Sequence, residues 1–162
     1  MAYDKQKAIQ AAKEEKQKMK EKIQESIESW AVQPEALAAF FQFSEKFSYK
    51  YSFRNTLLIQ QQNPGAILCQ SFDAWKKSGY PVLKEMHGMS IYVRVKATIL
   101  EIDGKSIPLS EASEKQKEDY KNGKIPYKTK MRYRIGKTFD IAQTNFPPEK
   151  YPDLLSRGIP SD

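Results

Sequence analysis

Two stretches of the chain set Lys, Arg and Tyr at alternate positions. Tyr92, Arg94 and Lys96 fall between Ile91, Val93, Val95, Ala97 and Ile99, and Lys130, Arg132 and Arg134 fall between Met131, Tyr133 and Ile135. On a β-strand, residues two apart share a face, so cations at this spacing stand in a row that can neutralise successive phosphates. A ring in such a row can stack on an unpaired base. The charge is concentrated where the pattern is: residues 76–100 contribute +4 and 124–139 contribute +6, against +7 for the whole chain. Residues 1–30 add +1, 31–75 balance, and 101–123 and 140–162 are each −2. If the two strands are neighbours in one sheet, their even-numbered sides form a single positive platform. The ordinary alternative is that exposed strands carry Lys and Arg for solubility and to blunt an edge.

Other aromatics also sit beside basic residues. Tyr51 precedes Arg54 and Asn55, Trp75 precedes Lys76 and Lys77, and Tyr80 precedes Lys84. Trp75, three residues after Phe72, fits a core helix face better than a contact, and Tyr133 lies on the apolar phase of its strand. Tyr92 is therefore the best stacking candidate. No helix-turn-helix, basic-zipper or zinc-finger spacing supports sequence-specific reading of duplex DNA.

Catalysis has little to stand on. One histidine, His87, and one cysteine, Cys69, cannot supply a metal cluster or a nucleophile with its base, and no glycine loop cradles a phosphate. His87-Gly88 fits a turn, and Glu14-Glu15 and Glu118-Asp119 fit solvated helix faces. No catalytic residue, metal or cofactor is expected.

These side chains must be positioned by one domain-sized chain of 162 residues. A lone thiol, no apolar leader and no membrane-length apolar run point to the cytoplasm. Lys5 to Glu28 predicts a helix whose apolar stripe begins only at Met19, Ile23, Ile27 and Trp30, its first half solvated or frayed. Pro34 opens a second helix with Leu37, Phe40, Phe41, Ser44 and Phe47 on the core face. A third runs from Ser52 to Gln62 with Phe53, Thr56, Leu57 and Gln60 on one side, and Ser71 caps a fourth that stops at Gly79. Asp103-Gly104 turns the first strand into a short edge strand carrying Pro108. A polar helix at 111–120 precedes the last strand, which continues through Phe139 and Ile141. The class is α+β: N-terminal helices packed on a small, mainly antiparallel sheet with a hairpin and an inserted helix. Residues 1–30 form a helical extension and 31–162 the binding domain.

Four strings along about residues 45 to 145 resemble the N-terminal domain of ArdC-type antirestriction proteins. They are Tyr51-Ser-Phe-Arg-Asn-Thr to Asn63-Pro-Gly-Ala66, Phe72-x-x-Trp75, the turn and strand from Val82 to Val93, and Phe139-Asp-Ile-Ala-Gln-Thr144. The resemblance implies single-stranded DNA binding in proteins of plasmids and integrative elements, usually with a metalloprotease-like domain after it. This chain is then expected to be the N-terminal part of a longer protein, ending at Pro160-Ser-Asp162 without a clear terminal element. Carried over by position, Arg54, Asn55 and Lys84 become contact residues. The turn departs from the family pattern, with Glu85-Met86 where Gly-Glu is usual, which shifts the weight to Tyr92, Arg94, Lys96, Lys130, Arg132 and Arg134.

The leading expectation is sequence-tolerant binding of single-stranded DNA in antirestriction, conjugation or replication. The alternative is an accessory module that recruits a replication or conjugation protein through the stripe of the first helix, unless that stripe caps the domain's own core. Imitation of DNA has the wrong sign for a +7 chain, so antirestriction would work by covering incoming strands.

Overall fold

The computed structural model describes residues 4–47 and 50–156; the expectation for the end at Pro160-Ser-Asp162 lies outside the described residues. In chain order the elements are α1 (Lys5–Ser29), α2 (Pro34–Ser44), α3 (Phe53–Gln62), β1 (Cys69–Gln70), α4 (Phe72–Lys77), β2 (Met89–Ile102), β3 (Lys105–Pro108), α5 (Glu114–Lys121), β4 (Tyr127–Asp140) and α6 (Tyr151–Ser156). The sheet has the order β1-β4-β2-β3 and is antiparallel, so the fold is α+β as expected. Asp103 and Gly104, at φ 50° and 74°, form the tight turn between β2 and β3. β3 lies at the sheet edge, where the missing amide of Pro108 costs no ladder bond. β1 and α6, one too short and the other too weakly patterned, carry no periodicity that would announce them.

The chain divides into two compact units. One, the ribbon unit, contains residues 1–17 and 92–135: the first half of α1, the hairpin, α5 and most of β4. Among its described residues the buried apolar ones are few, Ile99, Leu100 and Ala112. The first half of α1 is not frayed; Lys5 Nζ donates to the Ala112 carbonyl at 3.1 Å and Lys16 Nζ to the Tyr133 carbonyl at 2.7 Å. Ser113 and Gln116 close a reciprocal cap on α5.

The other, the core unit, contains residues 18–91 and 136–162. Its central helix is α3, capped by Ser52. Thr56, Leu57, Leu58 and Ile59 are all buried, and four consecutive residues cover the whole circumference of a helix. The single stripe expected for α3 is therefore too narrow; Phe53 stays exposed, and Leu58 and Ile59 join the core. Phe40, Phe43 and Phe47 are buried while Phe41, expected inside, is 57 % exposed. Met19 and Ile23 of α1 are buried, and Trp30 packs its ring 5.2 Å from that of Phe40. Met19, Ile23 and Trp30 of the α1 stripe thus serve the chain's own core, while Ile27, expected with them, is 39 % exposed.

A second cluster of this unit joins Leu68, Trp75, Phe139 and Ile141. It surrounds a buried carboxylate. Asp140 Oδ1 accepts the amides of Ile67 at 2.7 Å and Leu68 at 3.0 Å, and Oδ2 accepts that of Ala142 at 3.1 Å. The Asp140 amide donates to Gln143 Oε1, and Gln143 Nε2 donates to the His87 carbonyl at 2.8 Å. The Phe-Asp-x-x-Gln-Thr string is thus a structural latch that ties β1, the end of β4 and the 82–88 turn together. In that turn Glu85 sits at φ 64°, the left-handed region that glycine enters freely, which accounts for the glycine the resembling family places there. Gly88 has a different requirement: a Cβ there would come within 2.8 Å of both Lys137 Cβ and Phe139 Cζ.

Urea unfolding should separate these roles. Gly88→Ala should cost about 1–3 kcal/mol through overpacking. Glu85→Gly should range from neutral to about 1 kcal/mol more stable, because relief of left-handed strain exceeds the added freedom of the unfolded chain. In the same assay Asp140→Ala, which strands two inward amides, should cost about 3 kcal/mol.

Candidate nucleic-acid interface

Charge divides unevenly between the units. The ribbon unit holds fifteen Lys and Arg against nine Asp and Glu, a net of +6, which leaves +1 for the core unit. Of the ribbon cations, Lys128 is held by Glu101 at 2.7 Å and Lys117 by Glu114 at 3.3 Å. The Lys128 ammonium, with help from the Ser106 hydroxyl, holds the Glu101 carboxyl below its ordinary range. Among the described residues Arg94, Lys96, Lys130 and Arg132 have no acidic partner.

β2 and β4 are neighbours, as a shared platform requires. Their basic residues nevertheless do not share a face. Within the core unit, Ser90 meets Lys137 through its hydroxyl, and Gly88 lies against Lys137 and Phe139. Within the ribbon unit, the rings of Tyr92 and Tyr133 meet edge-on at 6.3 Å, and Glu101 meets Lys128. Every one of these contacts joins an even position to an odd one. Side chains alternate strictly along a strand, so even positions of β2 share a face with odd positions of β4. Tyr92, Arg94 and Lys96 thus stand with Met131 and Tyr133, while Lys130, Arg132 and Arg134 stand on the opposite face with Val93, Val95 and Ala97. The single even-numbered platform is corrected to two opposed basic faces.

This parity also changes which ring is available. Tyr133, assigned to the apolar phase from its spacing, is 55 % exposed, and Met131 is 40 % exposed. Tyr92 is half-buried, and its hydroxyl donates to the Lys16 carbonyl at 3.4 Å. Tyr133 is therefore the more open of the pair. The sequence signal that pointed to it is the absence of any aliphatic residue between Tyr127 and Arg134 apart from Met131: a strand with so little to bury has no inner face.

The remaining candidates lie in the core unit. Trp75 is 2 % exposed and donates its indole N–H to the Phe139 carbonyl at 2.8 Å, so it has no ring face to offer and is corrected from a contact residue to a core residue. Tyr51 is half-buried, its hydroxyl donating to the Cys69 carbonyl at 3.0 Å and hydrogen-bonded to Thr138 Oγ1 at 2.8 Å. Arg54 and Asn55 occupy the first turn of α3, Lys76 and Lys77 the last turn of α4, and Lys84 the 82–88 turn; all but the half-buried Asn55 are exposed. The described residues include no group of His, Cys, Asp and Glu placed to hold a metal ion, and no helix long and apolar enough to cross a membrane.

Comparison with known proteins agrees with the strings noted above. The family described as the N-terminal domain of the anti-restriction factor ArdC matches residues 10–135. An uncharacterized, plasmid-encoded protein of Bacillus anthracis, pXO2-81, is 34 % identical over 146 residues, which is 88 % of this chain and 25 % of that protein. The chain thus spans about a quarter of that relative's length. No solved structure matches.

The pairing parity is open to a direct check by engineered disulfides. Tyr92→Cys with Tyr133→Cys should cross-link under mild oxidation, and Tyr92→Cys with Arg132→Cys should not, because their Cβ atoms diverge to opposite faces. Burial, with the Asp140 carboxylate nearby, pushes the Cys69 thiol far up, so the native cysteine should not compete.

Proposed function

Because the chain belongs to the family of N-terminal domains of the anti-restriction factor ArdC, we propose that it binds single-stranded DNA, largely without sequence preference, in the service of a mobile element. The family and the plasmid-encoded relative supply the antirestriction and mobile-element context. The observation that carries the binding is the ribbon unit's net charge of +6, borne by a strand pair that exposes unpaired cations on both faces and an open tyrosine ring on one. Phosphates have cations to meet whichever face a flexible strand crosses, and bases have Tyr133 and Tyr92. A rigid duplex would not follow two opposed faces of a ribbon this narrow.

In this reading the binding domain is 31–162, with 1–30 as a helical extension that braces it, and the domain acts without catalysis, covering the strand. Arg94, Lys96, Lys130, Arg132 and Arg134 hold phosphates, with Arg54, Lys76, Lys77 and Lys84 as outlying contacts. Recruitment of a replication or conjugation protein through the α1 stripe is the weaker reading, since Met19 and Ile23 are already buried in the chain's own core.

Fluorescence anisotropy of a labelled oligonucleotide across a salt series tests this. Each lost phosphate contact should flatten the slope of log K against log salt by roughly 0.7. Arg94→Ala and Arg132→Ala should each do so, and their combination should do so twice, because they occupy opposite faces and act independently. Wild-type binding no stronger than that of a neutral control protein at low salt would overturn the proposal.

A further inference from the structure

β3 pairs only with Ile99–Ile102 of β2, so among the described residues the outer edge of β2 ahead of Ile99 has no strand beside it. Open edges of this kind are usually covered by a helix or loop. Here α5 and the turn at Leu109 and Ser110 stand across from Val95–Thr98 and leave a groove of about 1150 Å³ between. Every residue lining it belongs to the ribbon unit.

The lining has three chemical parts. Val95, Ala97 and Leu109 are half-buried and apolar. Lys96, Lys121 and Arg134 are exposed cations. Tyr120 contributes a half-buried ring, held edge-on to Tyr127 at 5.2 Å and 89°. Glu114 and Glu118 also line the groove, and Lys117 engages Glu114 at 3.3 Å. Pockets for single small molecules enclose roughly 300–1,000 Å³, so this groove has room for a segment of polymer.

The geometry points to this groove as the path of a single nucleic-acid strand across the ribbon unit. Sugars and base edges lie against Val95, Ala97 and Leu109, phosphates meet Lys121 and Arg134, and one base stacks on Tyr120. A peptide strand added to the open edge would fill the same space by backbone pairing; the net +6 of the unit selects the polyanion. The inference rests on the single-stranded DNA reading and adds to it a specific route, with Tyr120 and Lys121 as contact residues that no motif marks.

The test combines photo-crosslinking with affinity. A thymidine oligonucleotide carrying 5-iododeoxyuridine, irradiated with the full chain and mapped by mass spectrometry, should give adducts on Tyr120. Tyr120→Ala should weaken binding roughly 5- to 150-fold, the range for loss of one base–aromatic stack, while Tyr120→Phe keeps the ring and the affinity. Lys121→Glu, on the exposed last turn of α5, should weaken binding and flatten the salt slope by at least about 0.7. Ser110→Trp, which narrows the groove without removing a cation, should also weaken it, with melting temperatures confirming that each variant folds. Near wild-type affinity in Tyr120→Ala and Lys121→Glu, with adducts confined to Tyr133 or Tyr92, would overturn the groove and leave single-stranded DNA binding standing. Absence of wild-type binding would overturn both. Poly-glutamate that competes as well as an oligonucleotide of equal charge would reassign the groove to acidic peptides.

Discussion

The pairing of even positions on β2 with odd positions on β4 constrains everything that bears on function. Alternation has a period of two, so one choice of pairing assigns every side chain along two 14-residue strands to a face. In the core unit it brings Gly88 against Phe139, where nothing larger than hydrogen fits. In the ribbon unit it brings Tyr92 to Tyr133 and sends Arg132 and Arg134 to the other side. A slip by one residue would gather the cations into a single face, at the cost of driving a side chain into the Gly88 site and separating Glu101 from Lys128.

The core unit supports this pairing with a fully satisfied buried carboxylate. Among the described residues Asp140 is the one acidic side chain in the buried set, and three backbone amides meet it. A charge taken out of water is tolerable only when its hydrogen-bonding capacity is met, and here the bonds come from two different segments, 67–68 and the turn after β4. The same group therefore holds the two-residue β1 against β4, a strand too short to be held by its own ladder. Tyr51 and Trp75 complete the set by bonding to backbone carbonyls of β1 and β4, and the indole of Trp75, 2 % exposed, is closed to a ligand.

Most elements were legible because local chemistry decides them. Ser52 and Ser71 cap α3 and α4, Pro34 opens α2, and Asp103-Gly104 makes the hairpin, whereas α5, expected from 111, begins only at Glu114 behind the Ser113 cap. What escaped was set by tertiary pairing. Phe41 and Phe43 differ in burial although both fit a helical stripe, because the helix's rotation is fixed by Trp30 and α3 and not by its own spacing. The basic residues were found individually, yet their division between faces depends on register, which no single strand encodes. The α5 groove was invisible for the same reason: Tyr120 and Lys121 look like an ordinary polar helix until β2 supplies the opposite wall.

The thin interior of the ribbon unit, little more than Ile99, Leu100 and Ala112, has a thermodynamic side. A net charge of +6 spread over so small a core repels itself, and that repulsion grows as salt is removed. The polyanion proposed as ligand would cancel it. Folding of this unit and occupancy by its ligand are then linked equilibria, each shifting the other by the same free energy. On the binding proposed above the ribbon would gain protection when a strand lies on it, so amide exchange in 92–102 and 127–135 would report occupancy from within the backbone.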